Sequence, residues 1–185
     1  MPPRKGFTLV EFMVSVAVLA ILSATAIPNF NYFIVKTRVD NEITELYRLL
    51  LLTRNTAINT GYEVTLCPLD DANKCSTDWR QTLSVFIDAN DNKIKDNDEK
   101  IIKIKNPIVE GDKLQYALSR YRLVYAPTGR TVKWGSNGTF KYCPESLIDL
   151  SRGIVVATSG RIYISSDIDN DGKDENRSGK ELICR

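Results

Sequence analysis

Two acidic loops contain the residues best suited to bind a metal ion. In one of them, Asp167, Asp169 and Asp171 alternate along the chain, a glycine follows, and Glu175 comes four residues after Asp171. Oxygen donors on alternate residues before a glycine begin a calcium loop, in which the glycine allows a sharp turn. The twelfth position is Ser178, where such loops use a bidentate glutamate. The pattern therefore predicts either a calcium site or a solvated turn between strands.

The other acidic loop begins at Asp88 and contains Asn90 and Asn92 at alternate positions. It has Glu99 at the twelfth position, but Lys93 occupies the place of the glycine. Each loop thus lacks one part of the calcium pattern, and the same two interpretations apply to both.

The four cysteines are Cys67, Cys75, Cys143 and Cys184, and they allow three disulfide pairings. A zinc site is poorly supported, because the chain has no histidine and no Cys-x-x-Cys spacing. The short separation favours pairing Cys67 with Cys75. Cys143 and Cys184 would then tie the C-terminal segment to an interior strand.

The composition argues against an enzyme. The absence of histidine removes the commonest general base and every Ser-His or Cys-His pair. The carboxylates lie in apparent loops, and no glycine-rich phosphate loop is present.

The N-terminal segment is a membrane-length apolar run. Residues 7–27 contain a single charge, Glu11, and a helix of that length spans roughly 30 Å, about the thickness of a bilayer core. Arg4, Lys5 and Gly6 precede the run, whereas a cleaved secretory signal has its small residues after the apolar region. The residues alone leave open an uncleaved signal anchor.

The segment after Pro28 predicts an amphipathic helix. Val39, Ile43, Leu46 or Tyr47, and Leu50 recur every three to four residues, with charged residues between them. Among those, Arg38 with Glu42 and Glu45 with Arg48 have the spacing of helix neighbours. Asn59-Thr60-Gly61 is typical of a helix end.

The remainder of the chain predicts short antiparallel strands separated by turns. The clearest hairpin turns are Asn137-Gly138 and Ser159-Gly160. The expected strands are 62–67, 83–88, 100–105, 121–125, 131–134, 139–142, 154–158, 161–165 and 182–184.

The segment GFTLVEFMVSVAVLAILSATAIPNF resembles the N-terminus of type IV pilins and type II secretion pseudopilins. The resemblance implies that prepilin peptidase cuts between Gly6 and Phe7 and that Phe7 is then N-methylated. It also implies that Glu11 meets the N-terminal amine of a neighbouring subunit and sets its register. Pro28 would bend the helix, since proline removes a backbone donor and crowds the preceding turn.

The β region resembles the GspH/FimT branch of minor pilins and pseudopilins, FimU-type minor pilins most of all. The implied fold is α+β, with a long, proline-kinked transmembrane helix packed against a small antiparallel β-sheet or sandwich domain. The boundaries are a leader at 1–6, a transmembrane and filament-core helix at 7–28, an amphipathic helix at 29–60 and a periplasmic domain at 61–185.

The resemblance implies a minor type IV pilin that primes or caps pilus assembly at the tip, with twitching motility, adhesion and DNA uptake downstream. Its implied partners are other minor pilins, the major pilin, a tip adhesin, prepilin peptidase and the inner membrane, from which it passes to the cell-surface pilus. No cofactor is expected apart from calcium in the acidic loop. A GspH-type pseudopilin of type II secretion is the alternative.

DNA binding is a further alternative, because some FimT-type relatives bind DNA through a Gly-Arg-x-Arg-like turn. Here Gly160-Arg161-Ile162-Tyr163 keeps only the first arginine. The net charge of +2 falls to zero without Arg4 and Lys5, since 25 basic residues become 23 against 23 acidic ones. DNA is therefore not an expected partner, because phosphate binding needs clustered positive charge.

Overall fold

A single long helix forms the N-terminal third of the protein. The computed structural model describes residues 6–90, 92, 94–117, 120–132 and 137–184, without the side chains of 25–29. Helix α1 runs from Leu9 to Thr60, and its 52 residues span roughly 78 Å. It ends where predicted, at Gly61, which adopts a left-handed φ of 75° and donates its N–H to the carbonyl of Ala57.

Helix α1 continues without a break through position 28. The side chain of Pro28 lies outside the described part of the chain, so the bend expected there stays a prediction. Residues 1–5, which hold most of the expected leader, also lie outside it.

In the described residues after α1, the chain forms eight strands and one short 3-10 helix at Ile148–Leu150. The strands are β1 (Val64–Pro68), β2 (Leu83–Ile87), β3 (Ile101–Lys105), β4 (Lys113–Tyr116), β5 (Leu123–Tyr125), β6 (Gly138–Cys143), β7 (Arg152–Val156) and β8 (Ile162–Ile164).

The strands form two antiparallel sheets. The order in the first four-stranded sheet is β3-β2-β1-β5, and that in the second is β4-β6-β7-β8. This arrangement confirms the α+β class. The predicted turn at Ser159-Gly160 joins β7 to β8, with Gly160 donating to the carbonyl of Ala157.

One predicted strand is described only in part, and another is wrong. In the expected strand 131–134, Thr131 forms a bridge with Tyr125 and the Val132 N–H donates to the Val124 carbonyl, whereas residues 133 and 134 lie outside the described part of the chain. The segment 182–184 is not a strand; Cys184 is held by its disulfide, and the Lys141 ammonium donates to the Ile183 carbonyl.

The prediction of a hairpin at Asn137-Gly138 is also wrong. Gly138 is already the first residue of β6, whose two neighbours in the sheet are β4 and β7; residues 133–136 lie outside the described part of the chain. The partner β4 is absent from the predicted strands. The alternating apolar pattern of β4 is too short to recognise in the sequence, because the strand buries only Leu114 and Tyr116.

One continuous core joins α1 to both sheets. The helix buries the predicted apolar positions Val39, Ile43, Leu46 and Leu50, which are at most 1% exposed. The remaining members of the core come mainly from β1, β2, β4, β5, β6 and β7. The C-terminal half of α1 is thus part of the domain's own interior.

An aromatic cluster fills the end of this core near β4 and β6. The Trp79 ring meets the Tyr116 and Phe140 rings edge-on at centroid distances of 5.0 and 5.1 Å, and the last two rings stack at 4.0 Å. Burial raises the pKa of the Tyr116 hydroxyl well above its usual range. Trp79 satisfies its indole N–H at the Arg120 carbonyl, as a buried tryptophan requires.

Four charged residues of α1 pair with described residues of the β region, and one of them, Asp40, pairs with Arg152. The Arg38 guanidinium lies 3.0 Å from the buried Asp112 carboxylate. Lys105 of β3 lies 2.7 Å from Glu42 and 3.6 Å from Glu45. The intrahelical pairs predicted at this spacing are replaced by pairs that fix the helix to the sheets.

Candidate functional site

The first half of α1 exposes its apolar side chains on every side. All described residues from Phe7 to Ile34 are exposed, whereas Val35, the next residue, is 3% exposed. The exposed large apolar side chains are Phe7, Leu9, Val10, Phe12, Met13, Val14, Val16, Val18, Leu19, Ile21, Leu22, Phe30, Tyr32, Phe33 and Ile34. An apolar surface of this extent marks an interaction site.

A capping box begins this helix. The Glu11 carboxylate accepts from the Thr8 backbone N–H and from its hydroxyl, both at 2.9 Å, while the Glu11 N–H donates to the Thr8 hydroxyl oxygen at 3.3 Å. Thr8 is absent from the predicted site residues, although Thr-x-x-Glu before an apolar run is a recognised capping signal. Thr8 therefore holds the one carboxylate of the apolar run at the helix start.

Gly6 and Phe7 precede the helix in irregular structure, and Phe7 is 80% exposed. The bond between them thus lies in irregular, exposed backbone. Within the described side chains, no helical stretch combines the length and hydropathy needed to cross a membrane. The expected span 7–28 includes positions 25–28, whose side chains lie outside that set.

The four acidic residues of the first predicted calcium loop come together. Asp167, Asp169, Asp171 and Glu175 each place one carboxylate oxygen within 4.8 Å of the others. The three aspartates are exposed, whereas Glu175 is 4% exposed. Gly172 makes the sharp turn with a φ of 90°, a conformation that favours glycine.

An antiparallel bridge closes the base of this loop. The Glu175 N–H donates to the Ser166 carbonyl at 3.0 Å, and the Ser166 N–H donates back at 3.4 Å. This bridge brings Glu175, at the ninth position of the loop, next to the three aspartates. Glu175 thus supplies a buried carboxylate, although the twelfth position has no glutamate. Glu175 is one of the four residues predicted from the sequence, and the bridge explains how it reaches the other three.

Arg152 connects the acidic loop to α1. Its guanidinium lies 2.6 Å from the Asp40 carboxylate of the helix and 3.0 Å from the Asp174 carboxylate of the loop. It also donates to the Ser165 carbonyl at 3.3 Å. Burial works against the charged form, but the hydrogen bonds that the guanidinium donates to the Asp174 and Asp40 carboxylates outweigh it and raise the pKa of Arg152.

The loop at Asp88 is organised differently. Both Glu99 oxygens accept loop N–H groups, from Ala89 at 3.0 Å and from Asp96 at 3.1 Å. The Asp96 carboxylate accepts from the side-chain amides of Asn90 and Asn92. The described residues of this loop therefore support the interpretation as a hydrogen-bonded turn; Lys93 lies outside them.

Arg161 lies in the β7–β8 hairpin with its side chain exposed. The neighbouring Tyr163 ring is covered by the Arg177 guanidinium, 4.3 Å from the ring centroid. Gly160 approaches the Gly129 turn closely, and the Arg54 side chain donates to the Gly129 carbonyl at 2.9 Å. This turn is packed against α1, and a DNA-binding role for Arg161 stays a prediction.

Both disulfides follow the pairing that the spacing favours. Cys67 is bonded to Cys75 across 8 residues, and Cys143 is bonded to Cys184 across 41. The longer link attaches the C-terminal segment to the end of β6.

Two family models match this sequence. The model described as type II transport protein GspH matches residues 42–160, and the model of the prokaryotic N-terminal methylation motif matches residues 1–27. Together they cover most of the helix, apart from residues 28–41, and most of the β region. Pilin and pseudopilin families consist of structural proteins, in agreement with the expectation that the chain is not an enzyme.

Curated relatives are pilus subunits. The chain is 36% identical over 78 residues to the type IV major fimbrial protein FimA of Dichelobacter nodosus, covering 41% of this chain and 43% of that protein. It is 38% identical over 64 residues to a fimbrial protein of Pseudomonas aeruginosa, covering 35% and 41% of the two chains. The chain thus spans less than half the length of the curated relatives it matches.

The crystal structure of the type IV minor pilin FimU of Pseudomonas aeruginosa is similar in fold. The TM-score is 0.56 at 18% identity, over 69% of this chain and 88% of that one. At this identity the similarity establishes the architecture, a long helix with antiparallel sheets.

Proposed function

This chain belongs to the GspH family, and from that membership we propose that it is a minor type IV pilin. Prepilin peptidase cuts after Gly6 and leaves Phe7 as the methylated N-terminus. The processed protein is anchored in the inner membrane by residues 7–28, with its β domain in the periplasm. It then joins other minor pilins and the major pilin at the pilus tip, where it primes or caps the filament.

The exposed apolar half of α1 carries this proposal. A helix that is apolar on all sides needs apolar surroundings along its whole circumference. A bilayer supplies them before assembly, and a bundle of like helices supplies them afterwards. The match of residues 1–27 to the N-terminal methylation motif supports the same interpretation.

Glu11 sets the register of the subunit in the bundle. An unpaired carboxylate among apolar helices is costly, and an amine from a neighbouring Phe7 would lower that cost. The Thr8 capping box keeps the carboxylate near the helix start before the neighbour arrives. Only one axial position brings the amine and this carboxylate together.

The test replaces Glu11 by alanine in cells that depend on this subunit for piliation. We expect the Glu11→Ala protein to be processed and retained in the membrane fraction, but depleted from sheared pili. Ser15→Ala is the matched control: it lies one helical turn away, is exposed, and donates its hydroxyl only to the Glu11 carbonyl among the described contacts. Wild-type amounts of the Glu11→Ala protein in sheared pili would contradict the register role.

A GspH-type pseudopilin of type II secretion is the second candidate, favoured by the description of the family model itself. The two functions share the helix and differ in the neighbours of the β domain. Affinity purification of the full chain after cross-linking in cells separates them. Minor pilins and a tip adhesin support the first function, and secretion-system pseudopilins support the second.

A further inference from the structure

We propose that the acidic loop of residues 167–175 is a calcium site. Its ligands are the carboxylates of Asp167, Asp169, Asp171 and Glu175, whose nearest oxygens lie within 4.8 Å of one another. The site would bind calcium whether the chain serves a pilus or a secretion system. A failure to bind calcium would therefore leave the function proposed above unaffected.

The four carboxylates lack a compensating positive charge within the described chain. Lys173 pairs with Glu181 at 3.7 Å, and Arg152 pairs with Asp40 and Asp174. In the part of the chain that the structure describes, no lysine or arginine forms an ion pair with any of the four. Like charges at this separation repel one another, and a divalent cation would remove that repulsion.

Glu175 provides the independent sign of a ligand. Its side chain is 4% exposed, and one oxygen, Oε2, accepts the Ile168 N–H at 2.6 Å. The other oxygen, Oε1, is buried without a hydrogen-bond partner. Buried carboxylate oxygens are normally paired or bound to a metal, because leaving one without a partner is costly.

The loop at Asp88 serves as an internal comparison. Its buried Glu99 satisfies both oxygens with backbone N–H groups, so that loop is complete without an ion. Glu175 occupies a similar position after an Asp-rich turn but uses only one oxygen. Glu175 therefore has an oxygen left to bind a cation, whereas Glu99 has both oxygens in hydrogen bonds with the loop backbone.

The ligand set favours calcium over other cations. All four side chains offer carboxylate oxygen, and neither histidine nor a free cysteine contributes. Zinc and copper prefer nitrogen and sulfur ligands, so this ligand set does not suit them. Magnesium demands near-ideal octahedral geometry and keeps several waters, whereas calcium accepts six to eight oxygens in a flexible loop. The left-handed Gly172 supplies the turn that such loops place after the fifth residue.

Calcium binding would also fix the contact between the loop and α1. Asp174 lies between loop residues Lys173 and Glu175 and binds Arg152, which in turn binds Asp40 on the helix. An ion that orders the loop therefore also holds Asp174 against Arg152. The expected consequence is a domain that is more stable with calcium.

The test measures calcium binding by the full chain in detergent after treatment with EDTA. Calorimetric titration with CaCl2 should give one site with a Kd of about 1 mM or tighter, and the melting temperature should rise with calcium. Asp169→Asn changes an exposed ligand and keeps an oxygen for the Asp171 N–H, and it should weaken binding at least about tenfold. Glu175→Gln should do the same if it folds.

Asp98→Asn is the matched control, because it removes one exposed acidic charge outside this loop; binding should be unchanged. No heat and no melting shift at about 10 mM calcium would overturn the proposal. Equal binding by the Asp169→Asn and wild-type proteins would overturn it too, since the ion would then lie elsewhere. Magnesium binding as tight as calcium binding would overturn calcium as the occupant.

Discussion

The Lys105 ammonium is buried against the Glu42 carboxylate, with 2.7 Å between Nζ and Oε2. Lys105 is 2% exposed and belongs to β3, the edge strand of the first sheet, whereas Glu42 belongs to α1. A second carboxylate, Glu45, lies 3.6 Å from the same ammonium. The pair joins the helix to the strand that is farthest from β5 in its sheet.

Removing one partner of this pair should destabilise the protein more than removing both. Glu42→Ala leaves the buried ammonium with the Asn106 carbonyl at 3.3 Å and the exposed Glu45 carboxylate at 3.6 Å, and we expect the free energy of unfolding to fall by about 2–3 kcal/mol. Replacing the pair by Leu and Met, as Glu42→Leu with Lys105→Met, should cost less than about 1 kcal/mol. Urea unfolding measures both; a double variant as unstable as the single one would contradict the expectation.

Gly160 should tolerate no side chain. Its φ is 79°, and a Cβ there would lie 1.8 Å from the Gly129 carbonyl oxygen. Gly160→Ala should therefore lower the free energy of unfolding by more than about 3 kcal/mol, through backbone strain and displacement of the Gly129 turn. Gly179 has a φ of 70° with nothing within 4 Å, so Gly179→Ala should cost only about 1–2 kcal/mol. Thermal melts that rank the two variants equally would exclude the steric explanation.

The two disulfides should contribute unequally to stability. The chain-entropy model gives about 4 kcal/mol for the link across 41 residues and about 2.5 kcal/mol for the link across 8. Replacing Cys143 and Cys184 together by alanine should therefore lower the denaturation midpoint more than replacing Cys67 and Cys75. The reverse order would show that the short loop carries native contacts that the entropy model omits.

Acid should weaken the turn around Trp79. Hydrogen bonds from the Arg80 side chain, at 2.8 and 3.0 Å, lower the pKa of Asp78 from 3.8 to about 2. Because the folded pKa lies below the unfolded one, this stabilisation is present above about pH 4 and is lost as the pH falls toward 2.

The effect is small, under about 1 kcal/mol, because the pair is largely exposed to solvent. Asp78→Asn should flatten the decline in unfolding midpoint between about pH 4 and pH 2. Asp98→Asn, which changes an exposed acid elsewhere, should keep the wild-type slope. An unchanged slope in Asp78→Asn would assign the acid sensitivity to other carboxylates.

Elements with a repeated local signal were predictable from the sequence. The apolar positions of α1 recur with helical period over several turns, and Gly61 marks the end, so the helix and its buried face match the prediction. Most strands contain adjacent β-branched or aromatic residues. Strand β4 was missed because Lys113 and Gln115 interrupt a segment with only two core residues.

Contacts between distant segments were not predictable. The residues Arg38 and Glu42 have ideal spacing for each other, yet each pairs with an acid or amine that the sheets bring to the helix. The acidic loop is a partial exception. Its four carboxylates, including Glu175, were predicted from the sequence, whereas the Ser166–Glu175 bridge that brings Glu175 to the aspartates was not.

The contacts of Asp112, Lys105 and Arg152 with α1 have a mechanical consequence. Tension along the helix axis enters the β domain through these three cross-links and through the buried apolar face, because the side chains described between Phe7 and Ile34 are exposed. Arg38, Asp40 and Glu42 lie within five residues of one another, so the load reaches both sheets at nearly one level. Pulling would shear these contacts in parallel, and the domain would resist until they failed together.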